Sequence, residues 1–281
     1  MHPIFTYIKQ RLQDFQYPAE EIAPLAKEML VSVFGFTASR LYAGKDNDFS
    51  SKEREQLEDI LDRLSRHEPI QYIVGEVCFG GMSFKVTPGV LIPRPETAEL
   101  IEWVVSDMKD ETSFSVLDIG TGSGCIPVSL AARLPQAVVH AWDISEEALQ
   151  VAAENARINH VSVQYRHQDV FQPCPADERF RVIVSNPPYI AEKEKQEMEA
   201  NVLQWEPGLA LFVPDEDPLR FYRRIAEVGQ TLLEPDGSLY FEINRNYGPE
   251  TVSLLRQMGY AAVELRKDIF GNDRMVKACL R

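Results

Sequence analysis

The sequence predicts an α/β fold in which a mainly parallel sheet is covered by helices on both faces, preceded by a small all-helical domain. The first observation is that residues 1 to about 75 carry apolar side chains at helical spacing, as at Ile4, Ile8 and Leu12. The second is that strand-like and helix-like segments alternate from Ser113 onward. This alternation is typical of a mainly parallel sheet that buries both faces under helices.

The helical region and the segment after it define the expected domain boundaries. Ser50 and Ser51 stand ahead of Glu53 and Glu55, which is the order expected where a helix begins. In the following segment apolar residues flank Gly80-Gly81, which indicates a hairpin. We expect a helical domain over residues 1–75, a hairpin linker over 76–93 and the α/β domain over 94–281.

Within the α/β region, apolar runs mark the strands and helical periodicity marks the helices. The expected strands cover residues 116–118, 138–142, 161–165, 182–185, 239–243 and 275–280. The expected helices cover residues 128–134, 146–158, 219–232 and 249–258. Residues 191–218 are polar, acidic and poorly periodic, so we expect a long loop over the site. Loops of this length are uncommon unless they are functional.

Length and hydrophobicity restrict the class of protein. The chain has 281 residues, of which 44% are hydrophobic, and this suffices for two domains with separate cores. No stretch approaches the roughly 20 consecutive apolar residues of a membrane span. The first residues lack the basic and apolar regions of a signal peptide. We therefore expect a cytoplasmic protein without membrane contact.

The cysteines and the net charge argue against further classes. The four cysteines are Cys78, Cys125, Cys174 and Cys279. They show no paired spacing and no telling spacing to histidines, so neither a disulfide framework nor a metal site is expected. The formal charge is -14, whereas binding to a phosphate backbone depends on basic residues. The sequence favours a protein or small-molecule substrate and no direct contact with nucleic acid.

A glycine-rich turn follows the first expected strand of the α/β region. In Asp118-Ile119-Gly120-Thr121-Gly122-Ser123-Gly124 the glycines let the backbone turn sharply and let a ligand approach without meeting a Cβ. Asp143 ends the next strand, 19 residues after Gly124 (143 minus 124), and can accept hydrogen bonds from ribose hydroxyls. Asp169 follows the third strand, where it can accept a hydrogen bond from an adenine amino group. The pattern predicts a nucleoside site.

Two other interpretations of this turn are open. It can be an ordinary tight turn beside solvated acidic strand ends, or it can be the pyrophosphate site of a dinucleotide-binding dehydrogenase. The dehydrogenase fingerprint is Gly-x-Gly-x-x-Gly, whereas this turn has Gly-x-Gly-x-Gly preceded by Asp118. A carboxylate there would repel pyrophosphate, but it suits the ammonium of a methionine moiety.

The segment Asn186-Pro187-Pro188-Tyr189 follows an apolar strand, at the edge where open α/β sheets bind ligands. Successive prolines fix φ and lack an N–H, so no local donor competes for their carbonyls. The Asn186 side-chain oxygen and the Pro187 carbonyl can accept both N–H bonds of a planar NH2 group and align its nitrogen with an electrophilic methyl. Tyr189 can stack on that group, and its ring face tolerates cationic character. The bound NH2 group can belong to an amide or to a nucleobase. A proline-rich turn that merely ends the strand is the third interpretation of this segment.

Residues 118–124, together with Asp143 and Asp169, resemble the cofactor motifs of the class I S-adenosylmethionine-dependent methyltransferases. The resemblance implies a Rossmann-like seven-stranded sheet whose last strand is antiparallel, with S-adenosyl-L-methionine as cofactor. Val170 stands where relatives often carry an aromatic residue beside the adenine. The cofactor contacts implied are Gly120, Thr121, Gly122, Ser123, Gly124, Asp143, Asp169, Val170 and Asn186.

A more specific resemblance covers nearly the whole chain. Residues 91–100, with the helical N-terminal region and residues 186–189, are similar to the release factor glutamine methyltransferases, also called the HemK family. Further similar segments are residues 68–75, 79, 84–86, 206–207, 242–243 and 268–274. The resemblance implies methyl transfer to the amide nitrogen of a glutamine in a Gly-Gly-Gln loop of peptide-chain release factors. The N-terminal helices would help to dock the factor.

The same resemblance implies roles for individual residues. The substrate-binding residues are Arg94, Thr97, Asn186, Pro187, Pro188 and Tyr189, of which Asn186 and Pro187 are catalytic. For Arg94 and Thr97, a structural ion pair or a helix cap is an equal alternative. Pro95-Glu96-Thr97 favours the release-factor branch over a sister group that modifies a ribosomal protein. An N6-adenine methyltransferase and a non-catalytic cofactor-binding module remain alternatives, and we expect a monomer.

Overall fold

The computed structural model of the protein describes residues 2–43, 49–175 and 177–280. The chain divides into two compact units. The first runs to Gly75 and also includes Glu199–Trp205, and the second combines Glu76–Met198 with the residues from Glu206 onward. A short stretch of the expected α/β domain therefore groups with the N-terminal residues.

The first unit is built of helices. These are α1 (Pro3–Asp14), α2 (Ala19–Ser32), α3 (Ala38–Ala43), α4 (Ser51–Leu64), α5 (Ile70–Val74) and α9 (Ala200–Trp205). Helix α4 begins at the expected position: the Glu53 backbone N–H donates to Ser50 Oγ (3.2 Å), and the Ser50 N–H donates to Glu53 Oε2 (2.7 Å). The apolar faces of α1 to α5 meet in a core that includes Ile8, Leu12 and Leu61, all fully buried.

The second unit starts with the expected hairpin. Strands β1 (Glu76–Phe79) and β2 (Met82–Lys85) pair antiparallel around Gly80-Gly81, with Phe79 opposite Met82. Both turn glycines have positive φ values, which a residue with a Cβ adopts only at a cost. The hairpin then leads directly into the α/β region.

A seven-stranded sheet forms the centre of the second unit. Its strands are β3 (Phe114–Ile119), β4 (Ala137–Asp143), β5 (Gln164–His167), β6 (Phe180–Ser185), β9 (Leu233–Glu242), β10 (Ala261–Lys267) and β11 (Asp273–Cys279). They lie in the order β10-β11-β9-β6-β3-β4-β5. The last strand, β11, is antiparallel to both neighbours, and the pairs among β9, β6, β3, β4 and β5 are parallel. The expected mainly parallel sheet with an antiparallel last strand is confirmed.

Helices cover both faces of this sheet, as the sequence predicts. They are α6 (Pro95–Met108), α7 (Cys125–Arg133), α8 (Glu146–Ile158), α11 (Arg220–Leu232) and α12 (Gly248–Gln257). Strand residues alternate between the two layers: Val116 and Val182 pack towards α6 and α7, whereas Leu117 and Ile183 pack towards α11 and α12. Because both faces are buried, the central strands are almost continuously apolar.

Several details differ from the sequence-based expectations. Helix α6 was not among the expected helices, and β9 begins six residues earlier than expected (239 minus 233). Strand β5 lies three residues later than expected at its start (164 minus 161). Strand β10 was not expected, because its side chains alternate between partly buried and exposed at the edge of the sheet, and it lacks an apolar run. The expected long loop over residues 191–218 is wrong. That segment contains a 3-10 helix (Glu192–Glu197), α9, α10 (Gly208–Leu211), and β8 (Phe212–Val213), which pairs with β7 (Ile190–Ala191).

Trp205 links α9 to the rest of the first unit. Its indole N–H donates to the Arg66 backbone carbonyl (3.2 Å).

Within the described ranges every helix is too short or too polar to span a lipid bilayer.

Candidate active site

A cavity of about 570 Å³ lies in the second unit, at the carboxyl ends of β3, β4 and β6. Strand order changes direction between β3 and β6, and open α/β sheets bind ligands at such a point. Of the expected site residues, those that line the cavity are Arg94, Thr97, Gly120, Thr121, Gly122, Ser123, Asp143, Asp169, Val170, Asn186, Pro187 and Pro188. Gly124, Tyr189 and Asp118, the carboxylate expected near the methionine ammonium, are outside the lining.

Backbone hydrogen bonds hold the glycine turn at one side of the cavity. The Gly120 N–H donates to the Trp142 carbonyl (2.8 Å), and the Gly122 N–H donates to Asp143 Oδ2 (2.8 Å). Gly124 closes the turn with φ +80°, and a Cβ there would lie 2.8 Å from the Ala152 Cβ. Gly124 therefore lets α7 and α8 approach each other, although it does not face the cavity.

Asp143 is buried at the end of β4 and is held from two directions. Its Oδ1 accepts from the Ser145 N–H (2.8 Å), while Oδ2 accepts from Gly122. Burial raises the pKa of Asp143, and these backbone donors partly oppose that shift because they stabilise the carboxylate. Each oxygen has a further lone pair, so the carboxylate can also accept from ligand hydroxyls.

Asp118 is fully buried beneath the turn, and neither carboxylate oxygen has a partner in normal hydrogen-bond geometry among the described residues. The Thr121 hydroxyl lies near enough to lower the Asp118 pKa, but it too lacks a partner in normal hydrogen-bond geometry. Burial dominates and raises the pKa of Asp118 to about 7. An unpaired buried carboxyl is costly, and a cationic group in the cavity would lower that cost.

The third acidic residue shapes an aromatic wall. Asp169 Oδ1 accepts from the Phe171 N–H (2.9 Å), which fixes the turn after β5. Val170 is buried in the core and also lines the cavity. Beside it, Phe171 meets Phe221 edge to face with ring centroids 5.1 Å apart, and both rings line the cavity. Sequence reasoning missed Phe171, although an aromatic residue directly after Val170 was a usable signal.

A connected set of side chains holds Asn186 on the opposite side. Asn186 Nδ2 donates to Thr97 Oγ1 (3.3 Å), and the Thr97 hydroxyl donates to Glu242 Oε2 (2.6 Å). The Tyr189 hydroxyl donates to Glu242 Oε1 (3.1 Å). We call Asn186, Thr97, Glu242 and Tyr189 the side-chain relay. It leaves Asn186 Oδ1 without a donor among the described residues, and it turns the Tyr189 hydroxyl towards Glu242.

Glu242 is fully buried at the end of β9, and sequence reasoning gave it no role. Burial raises the pKa of Glu242, whereas the Thr97 and Tyr189 hydroxyls and the positive charge of Arg274 act in the opposite direction. Arg274 is itself held by Asp268, with Arg274 Nε 3.1 Å from Asp268 Oδ2. A charged residue ending an apolar strand at the ligand-binding edge was the signal available in the sequence.

Arg94 was expected either to bind substrate or to form a structural ion pair, and its position fits both. It lines the cavity, and its guanidinium also forms an ion pair with the buried carboxylate of Glu206. Glu206 Oε2 is 3.4 Å from the Ile92 N–H as well, so it connects the segment before α6 to the start of α10. The pair fixes the backbone that leads to Thr97.

Two buried asparagines to which the sequence gave no role support the cavity walls. Asn155 Nδ2 donates to the Ser123 carbonyl (2.8 Å) and to the Lys85 carbonyl (2.9 Å), so it ties the glycine turn to the hairpin. Asn244 Nδ2 donates to the Tyr189 carbonyl (3.0 Å) and to Glu194 Oε2 (2.8 Å). Asn244 thereby holds the chain where it leaves the Asn186 segment.

Known proteins resemble this chain along its whole length. Residues 4–75 match the PrmC N-terminal domain, and residues 99–204 match the methyltransferase small domain. A release factor glutamine methyltransferase of Bacteroides thetaiotaomicron is 52% identical over 279 residues, or 99% of each chain. One of Flavobacterium psychrophilum is 47% identical over 229 residues, or 80% of each chain. The fold is also that of the 16S rRNA N2 G1207 methyltransferase of Thermus thermophilus, solved in complex with AdoMet and guanosine. The TM-score is 0.54 and the sequence identity is 20%, and the alignment covers 73% of this chain and 50% of that one.

Proposed function

Because the chain belongs to the family of release factor glutamine methyltransferases, we propose that it methylates the side-chain amide nitrogen of a glutamine in a peptide-chain release factor, with S-adenosyl-L-methionine as methyl donor. The observation that carries this proposal is the position of Asn186. Its amide lines the same cavity as the glycine turn and Asp143, and its oxygen has no donor among the described residues. A site for a nucleoside and an acceptor for an NH2 group therefore share one space.

Features in and beside the cavity fit S-adenosylmethionine, which supplies an electrophilic methyl group on a positively charged sulfur when bound. Asp118 lies outside the cavity lining, beneath the glycine turn, and when ionised it would attract an ammonium group bound beside that turn. Asp143 would accept from the ribose hydroxyls, and Asp169 from the adenine amino group. The Phe171 ring provides an aromatic surface beside Val170 for the adenine. The cavity volume of about 570 Å³ is in the usual range for a small-molecule site.

The acceptor nitrogen needs orientation more than it needs a base. The lone pair of an amide nitrogen is delocalised, so the nitrogen attacks a methyl group poorly. Asn186 Oδ1 and the Pro187 carbonyl would accept its two N–H bonds and hold its lone pair towards the methyl carbon. Among the described residues no donor competes for the Pro187 carbonyl. The two fixed oxygens also stabilise the positive charge that develops on the nitrogen during attack.

The atoms balance without a strong base. A nitrogen–carbon bond forms as the sulfur–carbon bond breaks, and the electron pair of the broken bond stays on sulfur. The nitrogen then carries a positive charge and is strongly acidic, so it releases one proton to water. Asn186 and Pro187 hold the nitrogen through both steps, and neither residue needs to change its protonation state.

The identity of the acceptor protein is proposed from the relatives. Proteins of this name that are 52% and 47% identical to the chain cover most or all of its length. The net charge of -14 agrees with a protein acceptor better than with a long nucleic-acid contact. We assign the docking of the release factor to the helical N-terminal unit, and we place the reaction in the cytoplasm with a monomeric enzyme.

Tandem mass spectrometry of a purified release factor tests this function. After incubation with the full chain and isotopically labelled S-adenosylmethionine, one glutamine should carry the labelled methyl group. A release factor with that glutamine replaced by alanine serves as the matched control and should stay unlabelled. Label that appears instead in adenines of added RNA or DNA, with a salt-sensitive yield, would support the N6-adenine alternative. Absence of label in both acceptors would contradict an enzymatic role.

A further inference from the structure

The side-chain relay suggests how the reactive asparagine is kept the right way round. We propose that Thr97 and Glu242 are positioning residues that fix the Asn186 side-chain amide with its oxygen towards the acceptor nitrogen. This inference rests on the proposed function, because it assumes that Asn186 accepts a hydrogen bond from an NH2 group. Neither residue needs to touch the substrate for the effect.

The need for such a device follows from the shape of asparagine. The oxygen and the NH2 of the side-chain amide have nearly the same size, so the cavity outline alone does not distinguish the two orientations. In one orientation an acceptor oxygen faces the substrate amide. In the flipped orientation two NH2 groups face each other, and both lose a hydrogen bond. Only the first orientation can align the nitrogen for attack.

Thr97 selects the orientation because a hydroxyl has a single hydrogen. That hydrogen lies on the 2.6 Å contact to Glu242 Oε2, so the Thr97 oxygen is left to accept. The group that Asn186 presents to Thr97 must then be the donor Nδ2, at 3.3 Å. Thr97 is buried in the first turn of α6, so water cannot readily replace either contact. The Asn186 oxygen remains for the cavity.

Glu242 sets the direction of the whole relay, because an ionised carboxylate only accepts hydrogen bonds. It takes one donor on each oxygen, from Thr97 and from Tyr189 at 3.1 Å. In this arrangement the Tyr189 hydroxyl serves as a donor to the relay, in addition to any contact that its ring makes. A protonated Glu242 could donate to Thr97 instead, and the Thr97 hydrogen would then favour the flipped Asn186.

The charged groups around Glu242 come from several elements. Arg274 on β11 favours the ionised form, whereas Glu96 on α6 disfavours it. Tyr222 on α11 and Tyr189 after β6 are neutral neighbours whose hydroxyls stay protonated near neutral pH, since burial raises the pKa of both. Burial raises the pKa of Glu242 above its ordinary value. As the pH falls through that raised pKa, Glu242 takes up a proton and the relay loses its fixed direction.

Two substitutions at one position provide the first test. Thr97→Val keeps the shape but removes the hydroxyl, and Thr97→Ser keeps the hydroxyl. At saturating cofactor, Thr97→Val should lower kcat for glutamine methylation by about 10- to 100-fold, because a misaligned acceptor loses much of the benefit of positioning. Thr97→Ser should restore most of the rate. The dissociation constant of S-adenosylmethionine and the melting temperature, measured on both variants, check that the cavity is intact.

The outcomes separate this proposal from the proposed function. A wild-type chain that does not methylate release factor contradicts the function itself. A wild-type chain that does, together with a Thr97→Val variant of equal kcat, overturns the relay and leaves the function standing. A Thr97→Ser variant as slow as Thr97→Val also overturns it, because the hydroxyl would then not be the group that matters.

The pH profile of Glu242→Gln gives a second test that remains valid if Thr97→Val fails to fold. The wild-type kcat at saturating cofactor should decline on the acid side as Glu242 takes up its proton. Glu242→Gln has no proton to gain there, so its kcat should be lower at neutral pH and should lack that decline. A Glu242→Gln variant that retains the wild-type acid decline contradicts the assignment of Glu242.

Discussion

The two sides of the cavity are held in place by different kinds of hydrogen bond. We call the glycine turn with Asp143 the donor side, because it would bind the methyl donor, and the surroundings of Asn186 the acceptor side, because they would bind the methyl acceptor. On the donor side, backbone groups of the glycine turn bond to the Trp142 carbonyl and to Asp143. On the acceptor side, the Asn186 amide is held by Thr97 and Glu242 through side chains alone. The donor side therefore depends on the path of the backbone, and the acceptor side depends on the direction of individual hydroxyl and amide groups.

This difference predicts different consequences of substitution. A change on the donor side should alter folding if it moves the backbone of the glycine turn. It should alter cofactor affinity if it removes the Asp143 carboxylate, which accepts hydrogen bonds. A change in the side-chain relay should leave the donor side intact and should alter the rate of methyl transfer.

Gly124→Ala should lower the free energy of unfolding most. A left-handed alanine costs about 1–3 kcal/mol, and the contact of its Cβ with Ala152, at 2.8 Å, adds overpacking. The combined loss should be about 2–6 kcal/mol, measured by urea unfolding of the full chain. Gly80→Ala is the matched control, because it has φ +56° but no atom within 4 Å of the added Cβ. Equal losses in the two variants would show that the close approach of α7 and α8 is unimportant.

Asn186→Ala should lower kcat for release-factor methylation by about 100- to 1000-fold, since it removes one fixed oxygen from the charge that develops on nitrogen. Cofactor affinity should stay close to that of the wild-type chain. Steady-state kinetics at saturating cofactor provide the measurement. Asn246→Ala, which removes an exposed asparagine outside the cavity, is the control and should retain the wild-type rate. A loss below about 5-fold would argue against transition-state stabilisation by Asn186.

Asp143→Asn should raise the dissociation constant of S-adenosylmethionine by about 10- to 100-fold, because hydrogen bonds to a charged acceptor are each stabilising by about 1.5–3 kcal/mol. Isothermal titration calorimetry measures the change. Asp110→Asn, at an exposed position after α6, removes the same charge from the surface and should have little effect. If the two variants bind alike, the carboxylate at the end of β4 does not contact the cofactor.

Asp118→Asn should change the pH dependence of stability in the cofactor-free chain. Burial raises the pKa of Asp118 to about 7, against about 4 in an unfolded chain. Between these values the folded chain binds more protons, so its stability falls as the pH rises, by about 1.4 kcal/mol per pH unit from this group. Asp118→Asn lacks this contribution. Urea unfolding of both proteins at about pH 5 and about pH 6.5 should show the difference, and parallel curves would contradict an unpaired Asp118.

The donor side was predictable from sequence because its signals are local. Glycines at 120, 122 and 124 follow a strand directly, and Asp143 ends the next strand. The partners of the acceptor side are far apart along the chain: Thr97 and Glu242 are separated by 145 residues. No spacing rule connects such a pair. The sequence therefore pointed to Asn186 and Thr97 separately, but not to Glu242 or to the hydrogen bonds that connect the three side chains.

The fold shows the same limit. Central strands were recognised from their apolar runs, and α8 spans the expected residues 146–158. The edge strand β10 has no such run. Its residues alternate between partly buried and exposed, so only every second side chain needs to be apolar. Residues 191–218 contain short elements stabilised by long-range contacts, such as β7 with β8. Their polarity favoured the prediction of a loop, and tertiary pairing decided otherwise.

Methyl transfer to release factor at saturating S-adenosylmethionine, measured side by side for Asn186→Ala and Asp143→Asn, tests the division between the two sides most directly. Excess cofactor can offset a lost cofactor contact but cannot restore an oxygen that orients the acceptor nitrogen. Asp143→Asn should therefore recover most of the wild-type rate, whereas Asn186→Ala should remain about 100-fold or more below it. Recovery of Asn186→Ala by excess cofactor, or an equal residual loss in both variants, would contradict the account.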